Sequence, residues 1–321
     1  MKPFVAIIAL VAISFNASAQ DPELTQYYNN PLYLNPALAG AKNCQGRAML
    51  HYRNQWPALA GSLVTTTFSA DQSFDKIWGG VGLNYLQDVA GEGLLTTSSI
   101  SLLYSFRLQL DDNSEIRIGF EPQFIQRKMD FSKLRFADQI QANRGFVLPT
   151  TEPLVNDPIN MFNLNSGVVW QSDRHMVGFA LHNVFEPVQS FYGTEESVLP
   201  MRFSFHGKTK WLLGSKPNKP HYLEPNALFM LQNKFTQLNA TVLYRKGSVL
   251  SGVGWRQTFG EFRNADAALF VLGFKVPNFR LVYSYDMTVS DAQSAAPGSH
   301  ELSMMFTWCM KDEKKKHNDT F

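Results

Sequence analysis

Glu115-Ile116-Arg117-Ile118-Gly119-Phe120 places Ile116, Ile118 and Phe120 on one side of an extended chain, with Glu115 and Arg117 on the other. Successive side chains of a β-strand point to opposite faces. The alternation recurs along the chain. Ile100, Leu102, Tyr104 and Phe106 oppose Ser99, Ser101, Ser105 and Arg107. Phe279, Leu281, Tyr283 and Tyr285 oppose Arg280, Ser284 and Asp286, and Leu302, Met304, Phe306 and Trp308 oppose Glu301, Ser303 and Thr307. Val64, Thr66 and Phe68 oppose Thr65, Thr67 and Ser69 in a weaker instance. The pattern predicts strands over 47–54, 63–72, 79–89, 95–108, 115–128, 163–171, 175–183, 200–211, 221–232, 235–245, 248–259, 265–276, 278–288 and 299–309. The twelfth is apolar on both faces from Leu269 to Leu272, which blurs its parity. The expected fold class is all-β: a single antiparallel transmembrane β-barrel of about 14 strands, apolar outside and polar within.

The start of the chain supports export. Lys2, the apolar stretch Phe4 to Phe15 and the small residues Ala17-Ser18-Ala19 read as a signal peptide over 1–19, cleaved before Gln20. No Cys follows the cut, so no lipoprotein anchor is expected. Charged residues are 17% of the chain, below the roughly 25% of soluble domains, and aromatics reach 13%. That balance suits a lipid-facing surface with aromatic girdles. The formal net charge of +2 offers no field for nucleic acid. No mature window reaches the roughly 18 apolar residues of a membrane helix. Without such helices, only a closed barrel satisfies its backbone in lipid.

The sequence divides into the signal (1–19), an N-terminal arm (20–46), the barrel (47–309) and a charged tail (310–321). The arm is rich in Asn, Pro, Tyr and Gly; Asn30-Pro31 and Asn35-Pro36 start turns, and the expectation is an irregular arm facing the periplasm, where it offers a periplasmic or a plugging contact. Periplasmic turns are expected near 74–78, 110–114, 172–174, 213–220, 245–247 and 277–278. Outer connections are expected at 130–162, 185–199 and 289–298. Short turns on one side and long loops on the other are the habit of outer-membrane barrels. The tail Lys311-Asp312-Glu313-Lys314-Lys315-Lys316-His317 is a solvated periplasmic end or a handle for a periplasmic partner.

Chemistry-bearing motifs are scarce. There is no zinc-binding His-Glu-x-x-His, no Gly-x-Ser-x-Gly and no phosphate-cradling loop. Gly80-Val81-Gly82 and Gly252-Val253-Gly254 lack the third Gly of a dinucleotide fingerprint and lie within strand patterns, so close packing or a strand kink is the better reading. His182 and His206 fall on polar strand faces as lumen residues. No catalytic residue, cofactor or metal is expected, and the chain reads as not an enzyme. Arg107, Glu115, Arg117, Glu121, Arg202, Arg256, Lys275, Arg280, Asp286 and Glu301 share the inward parity. Mixed signs suit pairing that fixes barrel shape better than ion selection. Cys44 and Cys309 form a candidate barrel-closing disulfide, because a barrel's first strand pairs with its last. Their parities conflict unless the first strand is broken before its start; two free thiols are the alternative.

The two ends of the mature chain carry further motifs. Gln26-Tyr27, Asn30-Pro31 and Asn35-Pro36-Ala37-Leu38-Ala39-Gly40 lead into Tyr52-Arg53-Asn54-Gln55-Trp56-Pro57. Tyr283-Ser284-Tyr285-Asp286 and Gly298-Ser299-His300-Glu301-Leu302-Ser303 stand near the end. This combination resembles the PorP/SprF family of outer-membrane proteins of the type IX secretion and gliding motility machinery, from about Gln20 to Trp308. Asn226 departs from the pattern, where a Ser is expected. Asn35, Pro36, Gly40, Arg53, Gln55, Trp56, Tyr285, Asp286, Gly298, Ser299, His300 and Glu301 are the motif positions. The resemblance implies a fold like that of fourteen-stranded barrels that carry hydrophobic solutes. It also implies a non-catalytic role in the Gram-negative outer membrane. Implied partners are outer-membrane lipid, the secretion translocon, periplasmic ring proteins and a secreted adhesin cargo with a C-terminal targeting domain. Two rival classes are a passive pore or transporter for small solutes, hydrophobic ones included, and an exported soluble β-protein such as a lectin.

Overall fold

The computed structural model describes residues 21–41, 46–59, 61–141, 143–151, 158–191, 197–214, 221–260, 264–290, 293 and 298–308. The signal peptide, Cys44, Cys309 and the charged tail lie outside the described residues, as do parts of the predicted turn 213–220 and of the three long connections. Fourteen strands run in a meander: β1 Gly46–Gln55, β2 Leu63–Phe74, β3 Gly79–Ala90, β4 Leu95–Asp111, β5 Ser114–Met129, β6 Ile159–Ser172 and β7 His175–His182. They continue as β8 Arg202–Thr209, β9 His221–Gln232, β10 Phe235–Lys246, β11 Val249–Phe259, β12 Asn264–Val276, β13 Phe279–Thr288 and β14 Gly298–Trp308. Each predicted strand is present within a few residues. The barrel closes where β1 pairs antiparallel with β14, from Gly46↔Trp308 to Gln55↔Ser299. Closure leaves no open edge, which is what lets a sheet sit in lipid.

The outward parity holds. Ile100, Leu102, Phe120, Phe270, Leu272 and Phe306 are exposed, with Leu102 at 64%, while Ser99, Ser101 and Ser105 are buried. Trp78, Trp170, Trp211 and Trp308 are exposed near the end where strands meet in tight turns, the place of an aromatic girdle. Turns at this end include 112–113, 173–174, 247–248 and 277–278. The two longest connections, between β5 and β6 and between β7 and β8, gather at the opposite end, together with that between β13 and β14. These are called below the short-turn end and the long-loop end.

Two expectations are corrected. Of the periplasmic and the plugging contact expected of the arm, the structure has the second: residues 21–41 fold inside the barrel as a plug. A 3₁₀ turn at Tyr27–Asn29, a helical turn at Pro31–Leu34 and a 3₁₀ turn at Pro36–Leu38 form it. Pro31 and Pro36 stand in first-turn positions, where a missing N–H costs nothing. The inner face is also not uniformly polar. Tyr27, Leu34, Ala37 and Leu38 of the plug pack with Val169, Met176 and Leu228 of the wall, and Leu32 and Ala39 pack with Met49, Leu103 and Met305. A filled lumen excludes water, so wall positions beneath the plug gain by being apolar. The blurred parity of β12 has the same cause: Leu269 and Val271 are buried inward, whereas Phe270 and Leu272 face outward.

Candidate functional site

The plug is held at three levels. At the long-loop end, Thr25 and Gln26 donate their backbone N–H groups to Glu301, at 2.8 and 2.9 Å. The Arg53 guanidinium bridges Asp286 (2.9 Å) and Glu301 (3.1 Å), and Arg256 reaches Asp286 at 2.6 Å and Glu23 at 3.5 Å. Thr25 Oγ1 sits at the centre, donating to Asp286 and accepting from Arg53 and Arg256. Arg53 lies directly across from Glu301 in the β1–β14 register, and Ser284 across from Glu301 in β13–β14. Strand pairing therefore sets the clamp before the arm enters. Breaking a buried pair by removing one partner typically costs about 3–5 kcal/mol, because the other charge stays buried.

Midway, the plug lies against a row of small residues. Gly80, Ser105, Gly119 and Gly167 are register neighbours across β3, β4, β5 and β6. A Cβ on Gly119 would fall on the Pro36–Ala37 backbone, 2.5 Å from Ala37 Cα; one on Gly80 would lie 2.6 Å from Gly40 Cα; one on Gly167 would lie 2.8 Å from Asn35 Cγ. Gly40 itself has φ +64°, a left-handed conformation that glycine adopts without strain. The row carves a groove for Asn35-Pro36-Ala37-Leu38-Ala39-Gly40. The Asn35 side chain accepts from Ala37 N (2.9 Å) and donates toward the carbonyls of Val168 and Phe179, with His206 Nε2 at 3.0 Å. His182 Nε2 lies 3.3 Å from Leu34 O. Both His residues are lumen residues that grip the plug. The close-packing reading of Gly80 holds, its packing partner being the arm.

At the short-turn end, Arg117 donates to the carbonyls of Ala37 (3.2 Å) and Ala39 (2.8 Å) and pairs with Glu115 (3.0 Å). Arg47 donates to Leu38 O and pairs with Asp71, which also accepts from Gly40 N. Three inward positions of the segment that decides the fold, Glu115, Arg117 and Gly119, thus belong to the plug's seat.

The motif positions separate into groups. Asn35, Pro36 and Gly40 fill the groove, while Arg53, Asp286 and Glu301 form the clamp. Ser299 faces inward across from Gln55 and Asp286. Trp56, with φ +55°, donates its N–H to Gly298 O at 3.0 Å and starts the first long-loop-end turn. Tyr285 and His300 pack ring to ring, centroids 5.1 Å apart, with Tyr283 Oη 2.7 Å from His300 Nδ1. Of the inward charges, Arg107 pairs instead with exposed Asp75 at the rim. Sequence reasoning missed Thr25, Arg47 and Asp71, and gave Gln26 only as part of the Gln26-Tyr27 motif. Among the described residues, no three His, Cys, Asp or Glu side chains gather as metal ligands, and the structure brings together a packed polar lock in place of an open cleft.

The sequence profile of the type IX secretion system membrane proteins PorP/SprF matches residues 16–306. The chain belongs to the PorP/SprF family. Among curated proteins no relative matches. Among solved structures the Pseudomonas putida toluene transporter TodX is similar, with a TM-score of 0.50 at 8% identity over 88% of this chain and 94% of that one. The Acinetobacter baumannii outer membrane protein Omp33 aligns with a TM-score of 0.46 at 7% identity over 83% of this chain and 100% of that one. At such identities the toluene transporter shows a shared barrel fold alone. An outward apolar belt on a closed barrel, together with the family, places this PorP/SprF protein in the outer membrane of a Gram-negative bacterium.

Proposed function

We propose that this protein is a non-catalytic component of type IX secretion that assists export or surface anchoring of a cargo adhesin through protein–protein contacts. One observation carries the reading: the chain fills its own lumen. A plug clamped by Arg53, Asp286, Glu301 and Arg256 and seated in a glycine groove suits a scaffold better than a passive pore. The short-turn end then faces the periplasm and its ring proteins. The long loops 130–162 and 185–199 face outward, near the translocon and the adhesin's targeting domain. The proposal includes removal of residues 1–19, a periplasmic tail over 310–321 and a Cys44–Cys309 bond. The register that sets Gly46 against Trp308 supports that bond.

Two experiments test the reading. A deletion strain is expected to leave one or a few adhesins unsecreted or unattached; normal display of every adhesin contradicts the role. In planar bilayers the intact protein is expected to be silent, and a stable conductance from the plugged protein favours solute transport instead.

A further inference from the structure

The two ends of the plug sit at opposite mouths of the barrel. At its start, Asp21 Oδ2 accepts from Asn183 Nδ2 (2.9 Å) and Gln232 Nε2 (3.3 Å) and pairs with Arg202 Nη1 (3.1 Å). Asp21 N donates to Gln232 Oε1 at 3.3 Å. Asn183 follows β7, Arg202 opens β8 and Gln232 ends β9, all at the long-loop end. At the plug's finish, Gly40 N donates to Asp71 (2.6 Å) and Ala41 O accepts from Gln171 (3.3 Å). Asp71 lies near the end of β2 and Gln171 near the end of β6, both beside short turns. The chain then enters the wall at that same end, where Gly46 of β1 faces Gln72. The arm therefore crosses the whole lumen, from the long-loop mouth to the short-turn mouth.

The contacts at the start converge on one loop. Asn183 and Arg202 are the two stems of the β7–β8 connection, and a single carboxylate oxygen of Asp21 takes a bond from each. Bonds to an ionised acceptor are the stronger class. Asn183 stands at φ +60°, a left-handed conformation in which Asn is enriched, and its amide also donates to Pro200 O at 3.3 Å. Gln232 Nε2 reaches the same carbonyl at 3.1 Å. Tyr33 closes the group from the plug side: its hydroxyl donates to Pro22 O, and its ring centroid lies 5.3 Å from Arg202 Cζ. Beyond these stems the loop offers Phe185, Val188 and Val198 to solvent.

We infer that the arm threads the barrel from outside inward, so that the chain preceding Asp21 leaves the lumen at the cell surface, where Asp21 ties down the stems of the β7–β8 loop. Asp21 is then a positioning residue for an outer contact loop, and the plug's start and that loop form one external surface. The inference rests on the orientation proposed above and deepens it by naming the element that steadies the loop.

Two measurements test it. A short epitope placed between Gln20 and Asp21 of the full chain is expected to bind antibody on intact cells. The same epitope after Phe321 is expected to bind only once the outer membrane is permeabilised. Should the inserted epitope prevent folding, Pro22→Cys, in a chain with Cys44 and Cys309 replaced by Ser, is expected to react on intact cells with a membrane-impermeant maleimide. Neither epitope reached on intact cells overturns the threading and leaves the orientation standing. The Phe321 epitope reached alone reverses the orientation and takes the inference with it; both reached means that the arm does not cross the lumen. In detergent, Asp21→Ala is expected to speed chymotryptic cleavage after Phe185 at least about fivefold. Cleavage after Phe146, in the β5–β6 loop, and heat-modifiable gel mobility are expected to stay at wild type. Unchanged cleavage after Phe185, or the same acceleration at Phe146, overturns the tie to the β7–β8 loop.

Discussion

Gly119→Ala adds one methyl group where the plug touches the wall. The new Cβ would sit 2.5 Å from Ala37 Cα and closer still to Ala37 N and Pro36 C, against the 3.4 Å at which ordinary contact begins, a shortfall of at least 0.9 Å. The three nearest atoms are all plug backbone, which cannot swing aside as the end of a flexible side chain would. The wall cannot retreat easily either, since β5 is hydrogen-bonded to β4 and to β6. Overpacking of this kind costs about 1–3 kcal/mol, and backbone against backbone belongs at the upper half. Full release of the plug would forfeit the Arg117 bonds to Ala37 O and Ala39 O and the Arg47 bond to Leu38 O. Each such charge-assisted bond is worth about 1.5–3 kcal/mol. Strain in place therefore wins over ejection, and the plug opens more often. A loss of ~2–3 kcal/mol corresponds to amide exchange in residues 31–41 roughly 30- to 150-fold faster. Hydrogen exchange with mass spectrometry reads this directly. Gly207→Ala, whose Cβ would meet Met176 O at an ordinary 3.5 Å, is the control. Equal exchange in the two variants refutes the seat.

Other perturbations probe the remaining levels. Arg53→Ala leaves Glu301 and Asp286 buried with less compensation and is expected to lower stability by about 3–5 kcal/mol, read as a lower denaturant midpoint. Leu102→Arg, at a 64% exposed outward position of β4, is expected to cost ~2–4 kcal/mol in a bilayer folding assay; a neutral result would mean that this face does not meet lipid. In the loop after β5, Asp138 accepts from the backbone N–H of Thr151 (2.6 Å) and from the Thr150 and Thr151 hydroxyls. These bonds hold its carboxyl below the usual Asp range. The folded pKa is lowered, so the stabilisation is present above the ordinary value near 3.9 and fades as pH falls through the folded pKa. Protease cleavage of this loop is expected to be flat from neutral pH to about pH 5 and to rise only below about pH 4, whereas Asp138→Asn cleaves faster at neutral pH.

The barrel was legible because a half-lipid, half-lumen strand leaves a period-two trace within a few residues, as at Ile116/Ile118/Phe120 against Glu115/Arg117. The plug leaves no such trace. Residues 21–41 make short turns with no repeating period, and their partners come from the wall's inner parity. Asn30 meets Thr67, Asn29 meets Ser303 and Asn35 meets His206. The groove is a row across strands, Gly80, Ser105, Gly119 and Gly167, whose members stand far apart in sequence and align only once register is known. A signal was present in the inward Gly119, where small size serves neither lipid contact nor charge pairing. The clamp was half legible: parity turned Asp286 and Glu301 inward, but that they bind the arm as well as each other's partners required Thr25 and Gln26 in the lumen.

The central claim is that the barrel is stoppered by its own N-terminal arm. With Cys44 and Cys309 replaced by Ser, cysteines at Asn30 and Thr67, whose side chains now share a 2.9 Å hydrogen bond, are to be treated in intact outer membranes with a short thiol cross-linker. A cross-linked, faster-migrating chain is the expected result. Two separately modifiable thiols, with the Asn30 position open to a bulky periplasmic reagent, would contradict the claim.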